Sequence, residues 1–313
     1  TSMKSIFIDC NDQLFPIWER VVRTDDPAID VNRKAFARDD LPRVLDGYDV
    51  ALDDHSYMPT ELVARSPQLK HIVFLGTGAA SYMNVAELSG RGVKVHTIKG
   101  YGDTAVAEHT VALIFAAARD VARMDREVRS GVWTPQEGVQ LLGKTLGVIG
   151  LGGIGAEVAR IGKGLGMEVI AYNRTPRPDT GVPQFDIDTL LAKSDVVSLN
   201  LVLNDETRGF LSKERIARMK PGAILVNTAR GGVVEEAAMI EALESGKLAG
   251  AGLDVTATEP DVPVALREHP RALILPHIAS ATRGTRGGMM RMALENASAV
   301  LEGRTPPNAV NQV

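Results

Sequence analysis

Four short stretches of this 313-residue chain carry residue types that could do chemistry: GLGGIG at 150 to 155, NTARGG with Arg230, TATEP with Glu259, and LPHIAS with His277. G-x-G-x-x-G alone is a weak signal, because glycine-rich turns are common. Here TLGVIG supplies a strand before it, AEVARIGKGLG a helix after it, and MEVIAY a second strand. That is the whole βαβ unit that holds a dinucleotide diphosphate. Gly150 permits the tight turn, and Gly152 lets backbone N–H groups approach the phosphates. Gly155 lets the helix pack close to the strand, so that the helix N-terminus faces the anion. Gly153 and Ile154 share this turn and are expected to touch the cofactor as well.

The second strand of such a unit ordinarily ends in Asp or Glu, whose carboxylate binds the ribose hydroxyls of NAD and repels a 2′-phosphate. This chain instead has Asn173, then Arg174 and Thr175. An amide removes the repulsion, and a guanidinium pairs strongly with phosphate. NADP is therefore the expected cofactor. NAD is the alternative, with Asn173 bonding an unphosphorylated ribose and Arg174 a solvated turn residue.

The elements that must position these residues are legible from hydrophobic patterning. Six strand signals, TLGVIG, MEVIAY, DVVSLN, AILVN, AGLDV and LILPH, alternate with helical stretches or turns, which predicts a parallel sheet covered on both faces. Arg230, Glu259 and His277 each follow one of these strands, where doubly wound sheets place ligands. Upstream, SIFIDC, DVALD, LKHIVFLG and VKVHTI alternate with helical stretches such as PTELVARS and predict a smaller α/β unit. Residues 104 to 129 contain neither Gly nor Pro and predict one long helix. The segment from Thr282 to about Gly303 is again helical and is expected to return to the first unit. The expected domains are therefore 3–98 plus 282–313, discontinuous, and 99–281. The crossings at 97–102 and 279–284 are candidate hinges over a cleft.

Composition bounds the alternatives. With 44% hydrophobic and 24% charged residues the chain has ordinary globular character and enough length for two cores. A net charge of -4 offers no general field for a polyanion, so nucleic acid is not an expected partner. VALIFAAA at 111 to 118 is far shorter than the roughly 20 residues of a membrane helix and stops at Arg119 and Asp120, so no membrane is expected. One cysteine, Cys10, and the lack of a charged-then-apolar leader suit the cytoplasm. Thr1 and Ser2, ahead of Met3, are read as an expression remnant. His55, His71, His96, His109 and His269 show no metal-ligand spacing and are read as packing or surface residues.

The motifs taken together, the GTG loop at 76 to 78, VAEHTVAL at 106 to 113, GLGGIG, SDVVSLN, NDETRGF, MKPGAILVNTARGG and LPHIAS, resemble the D-isomer-specific 2-hydroxyacid dehydrogenase family over nearly the whole chain. The resemblance implies two Rossmann-like, doubly wound parallel-sheet α/β domains with a cleft between them. It also implies hydride transfer between NADPH or NADH and a small 2-oxo or D-2-hydroxy acid, glyoxylate or hydroxypyruvate being plausible. His277 would be the acid in reduction and the base in oxidation, with Glu259 raising its pKa from the usual value of about 6.5. Arg230 would clamp the substrate carboxylate and polarise the carbonyl, which Lys cannot match geometrically. Asp254 resembles the carboxylate that holds the nicotinamide carboxamide, and Thr228 and Ala229 flank the same cofactor region. Gly78 and Ala79 match the loop whose N–H groups bind the substrate carboxylate, with His277 and Arg230 completing that set. No metal is implied. Related proteins form homodimers through the nucleotide-binding domain, which makes helix 104–129 and the arm around Trp133 the candidate interface.

Departures qualify this picture. Ala80, Ser81 and Tyr82 replace the usual continuation of the glycine loop, leaving substrate size open, and Asn200 and Val202 stand where many relatives carry His and Pro. Formate-oxidising relatives usually have Gln in place of Glu259, so formate is disfavoured. The alternative from another class is a dinucleotide-sensing corepressor without significant turnover.

Overall fold

The computed structural model describes residues 3–308 and divides into two compact units, one made of the chain up to Gly102 and from Thr282 onward, the other of Asp103–Ala281. Thr1 and Ser2 lie outside the described residues, as do residues 309–313.

In the first unit β1 (Ser5–Phe7), β2 (Asp30–Val31), β3 (Val50–Asp53), β4 (His71–Phe74) and β5 (Lys94–His96) form a parallel sheet in the order β2-β1-β3-β4-β5. Alternate side chains leave opposite faces of a strand. Phe7, Val50, Leu52 and Val73 thus enter one core with Trp18, Met290 and Leu294, while Ile6, Ile8, Ala51 and Ile72 enter another with Leu41, Leu45 and Leu88. Burial on both faces explains why these runs read as continuously apolar. The strand β2 was not expected: its two residues are too few to show a period.

Met290 and Leu294 come from the helix Arg283–Leu301, whose N-cap Thr282 accepts a hydrogen bond from Thr285 N at 3.0 Å. Arg291 on this helix grips Asp26 through two bonds of 2.7 Å and donates to Val21 O at 3.0 Å. That guanidinium holds the Asp26 carboxyl below the ordinary carboxylate range. The other boundary falls between Gly102 and Asp103, later than residue 98, because Ile98 and Tyr101 both pack into the first unit's core.

In the second unit β6 (Thr145–Ile149), β7 (Glu168–Tyr172), β8 (Val196–Leu199), β9 (Ala223–Asn227), β10 (Leu248–Leu253) and β11 (Ala272–Ile274) form a parallel sheet in the order β11-β10-β9-β8-β6-β7. Because β8 lies on the opposite side of β6 from β7, the turn after β6 and the loop after β8 open side by side at the carboxyl edge. Sheets of this kind bind ligands at such a switch point. Val197, Leu199, Leu225 and Leu253 face one core with Met239 and Leu243, and Leu146, Val148, Ile224 and Val226 face the other with Leu113, Ile114 and Val158.

The single helix expected over 104–129 is two helices, Asp103–Arg119 and Val121–Arg129. Asp120 between them is left-handed, with φ 53°, and its carboxylate accepts from Arg123 Nε at 2.6 Å. Short polar residues tolerate that conformation better than most, so the chain breaks here without Gly or Pro. The first helix buries Val106, Ala107, Leu113, Ile114 and Ala118, whereas none of the second helix is buried.

Candidate active site

Three loops at the carboxyl ends of β9, β10 and β11 carry Arg230, Glu259 and His277. The β9 loop is shaped by buried Asn227, whose Oδ1 accepts from Ala229 N at 3.0 Å and whose Nδ2 donates to Arg230 O at 3.0 Å. Thr228 is tied to the helix Asp103–Arg119. Thr110 Oγ1 donates to Val106 O at 2.8 Å, so Thr228 Oγ1 donates in turn to Thr110 Oγ1 at 2.7 Å. Arg230 itself is exposed, and its Nη1 donates to Ala229 O at 2.7 Å. The next residue must be glycine, since a Cβ at Gly231 would collide with the backbone of Thr256 in the β10 loop.

That close approach links the loops, because Thr256 N donates to Glu259 Oε1 at 3.1 Å while Glu259 Oε2 accepts from His277 Nδ1 at 2.8 Å. The structure thus joins His277 to Glu259 directly and places Arg230 one loop away, across the Gly231–Thr256 contact. Peptide bond Glu259–Pro260 is cis. His277 has φ 53°, a conformation unfavourable for a residue with a Cβ. Asp254 holds it there. The Asp254 carbonyl accepts from His277 N at 3.0 Å, and its carboxylate accepts from Ile278 N at 2.9 Å and Ala279 N at 2.8 Å. Glu259, His277 and Asp254 border a cavity of about 280 Å³ whose other walls include Val262, Ile274, Leu275 and Pro276.

His109 corrects the expectation that it was a packing or surface residue without functional company. Its Nε2 lies 3.2 Å from Asp254 Oδ1, which makes it the counter-group of a carboxylate that is 1% exposed. The rest of the set also have polar partners: His71 Nδ1 meets His96 Nε2 at 3.0 Å, His55 Nδ1 lies 2.9 Å from Asp54 Oδ2, and His269 Nδ1 accepts from Arg271 N at 3.1 Å. Among the described residues no group of His, Cys, Asp and Glu could hold a metal ion, and no helix is long and apolar enough to cross a membrane.

At the switch point, Gly150 has φ 94° and donates to Tyr172 O at 2.8 Å. A Cβ at Gly155 would collide with Gly150 O, while Gly152, the N-cap of the helix Gly153–Gly164, faces open space. Ile154 packs toward the core beside this turn. A turn with glycine at the close helix–strand approach and no side chain over its N-cap fits a dinucleotide diphosphate.

Asn173 closes the turn: its Oδ1 accepts from Leu151 N at 2.8 Å and its Nδ2 donates to Thr175 O at 2.5 Å. A carboxylate could not make the second bond. Arg174 is exposed and ion-paired with Glu206. Sequence reasoning missed Arg177, whose Nη1 donates to Leu151 O at 2.9 Å while its Nη2 pairs with Asp179 at 2.8 Å. The available signal was a second arginine just beyond Pro176. Gly78 and Ala79 belong to the first unit, where Gly78 caps the short turn Ala79–Ser81 that follows β4, and Ala79 O accepts from Tyr82 N and Met83 N.

Residues 111–279 match the family model described as D-isomer specific 2-hydroxyacid dehydrogenase, NAD binding domain. The chain is 39% identical to a glyoxylate reductase of Thermococcus litoralis over 80% of each protein, and 36% identical to a hydroxypyruvate reductase of Thermotoga maritima over 81% of this chain and 85% of that one. The crystal structure of a glyoxylate reductase from Paecilomyes thermophila superposes with a TM-score of 0.87 at 31% identity, covering 100% of this chain and 98% of that one. These relatives are named as enzymes, so a sensor without turnover is not favoured. This chain belongs to the D-isomer specific 2-hydroxyacid dehydrogenase family and is an NAD(P)-dependent oxidoreductase of CH–OH donors.

Proposed function

We propose that the chain reduces a small 2-oxo acid of the glyoxylate or hydroxypyruvate class, with NADPH preferred and His277 as the proton donor. The observation that carries this reading is the 2.8 Å bond between His277 Nδ1 and Glu259 Oε2. When bound, the reduced nicotinamide supplies a hydride to the carbonyl carbon. With Nδ1–H committed to Glu259, His277 Nε2 is the nitrogen that gives its proton to the carbonyl oxygen, and Glu259 offsets the charge of the imidazolium before transfer. Arg230 takes the substrate carboxylate as a fork and draws electron density toward the carbonyl oxygen. The backbone N–H groups at Gly78 and Ala79 are assigned to the same carboxylate. Asp254, with His109 beside it, keeps the His277 loop in its left-handed turn, so misplacement of the acid is opposed by three hydrogen bonds.

The NADPH preference rests on Asn173, which brings no negative charge to the strand end and whose amide is held by Leu151 N and Thr175 O. Arg174, Thr175 and the additional Arg177 are assigned to the 2′-phosphate, with Thr228 and Ala229 on the nicotinamide side. Val121 and Val128 are 52% and 50% exposed and Trp133 is 82% exposed, which supports a homodimer through this helix and arm. The single cysteine, Cys10, suits the cytoplasm.

Loss of NADPH or NADH absorbance with glyoxylate, hydroxypyruvate and pyruvate tests the reading. Turnover of at least one acid with higher kcat/KM for NADPH is expected; no turnover on the panel, or a clear preference for NADH, contradicts it. Arg177→Ala is expected to raise KM for NADPH about tenfold, the scale of one charge-assisted bond, and to leave KM for NADH nearly unchanged.

A further inference from the structure

Gly153 is the first residue of the helix Gly153–Gly164, and its φ is not among the positive values that require glycine. A Cβ added there would meet Oδ2 of Asp103, so this carboxylate lies directly against the first residue of the helix. Asp103 is itself the first residue of the helix Asp103–Arg119, which packs along the Gly153–Gly164 helix. One carboxylate therefore serves the N-termini of two helices, each the positive end of a macrodipole. The Gly153–Gly164 helix has no acid in its own first turn and no side-chain cap, so Asp103 supplies its negative charge.

The same N-terminus is the one assigned above to the dinucleotide diphosphate, and this inference rests on that assignment. We infer that Asp103 sets the affinity of this chain for its dinucleotide, its carboxylate stabilising the folded protein while repelling the diphosphate at the Gly152–Gly153 turn. Two like charges separated by several ångströms near a surface differ from a charge and a neutral amide by about a tenfold change in affinity.

Asp103→Asn keeps the side-chain shape and removes the charge. Isothermal titration of wild type and variant with NADPH and with NADH, together with thermal melts of each protein alone, reads both halves of the inference. The expected result is a Kd about 3- to 10-fold tighter for the variant at low salt, the gain shrinking at high salt. A Tm about 1–3 °C lower without nucleotide should accompany it. An unchanged or weaker Kd in Asp103→Asn while wild type binds either nucleotide overturns this inference alone. Failure of both proteins, folded by their melts, to bind either NADPH or NADH overturns the dinucleotide assignment and this inference with it.

Discussion

His277 meets Glu259 at 2.8 Å on loops at the carboxyl edge of the second sheet, whereas His71 meets His96 at 3.0 Å inside the first sheet, with the two rings stacked at 5.3 Å. The residue type is shared and the consequences are opposed. His277 is 45% exposed in its side chain and partnered by an acid, so its charged form is compensated while Nε2 remains open to a reactant. His96 is 2% exposed, and burial, then His71 and Lys94, push its pKa down to about 4. Burial and the neighbouring Lys94 and Lys70 also lower His71. The first pair leaves a ring nitrogen available for the proton transfer proposed above, and the second stays neutral and ties β4 to β5. The lesson is that partner and edge, more than residue identity, decide whether a histidine works on a substrate or on the fold.

Substitutions should separate the two pairs sharply. His277→Asn is expected to lower kcat/KM by about 10²- to 10⁴-fold, the range of general acid catalysis, while leaving the urea midpoint nearly unchanged; steady-state kinetics and denaturation on the same preparation check both. Glu259→Gln retains an acceptor but loses the charge. A bond to a charged group is worth about 1.5–3 kcal/mol, so kcat/KM should fall roughly 10- to 150-fold, less than for His277→Asn.

His96→Leu should do the converse, leaving turnover at pH 7 close to wild type and changing the pH dependence of stability. A histidine with a folded pKa of about 4 and an ordinary value of 6.5 binds fewer protons folded than unfolded between those values. Its contribution is therefore complete above about pH 6.5 and is lost as the pH falls toward 4, on the order of 2–3 kcal/mol. Asp53, whose carboxyl is raised by burial and by Asp9, works in the opposite sense, so the wild-type curve is a mixture. The difference between wild type and His96→Leu isolates the histidine: unfolding free energies extrapolated from urea titrations should draw together by that amount between pH 7 and 4, and parallel curves would remove the proposed neutrality of the pair.

Much of this arrangement was legible in the residues because each signal was local. The six strands of the second unit are apolar runs bounded by glycine or polar turns, and the positions of Arg230, Glu259 and His277 follow from lying just beyond three of them. GLGGIG was readable for the same reason, its strand and helix being contiguous in the chain. What could not be read depends on partners distant in sequence or on very short elements. The two residues of β2 have no period to detect. The break at Asp120 lacks Gly or Pro and depends on a left-handed aspartate. His109 became informative through Asp254, which is 145 residues away, and Arg177 through a carbonyl in the Gly-rich turn, 26 residues away.

The central claim is that His277 and Glu259 act as one proton-handling unit, and a double-mutant cycle on kcat/KM tests it most directly. If Glu259 works through the imidazole, combining His277→Asn with Glu259→Gln should lower kcat/KM hardly further than His277→Asn alone. Losses that multiply, or a His277→Asn enzyme that turns over at the wild-type rate, would contradict the account.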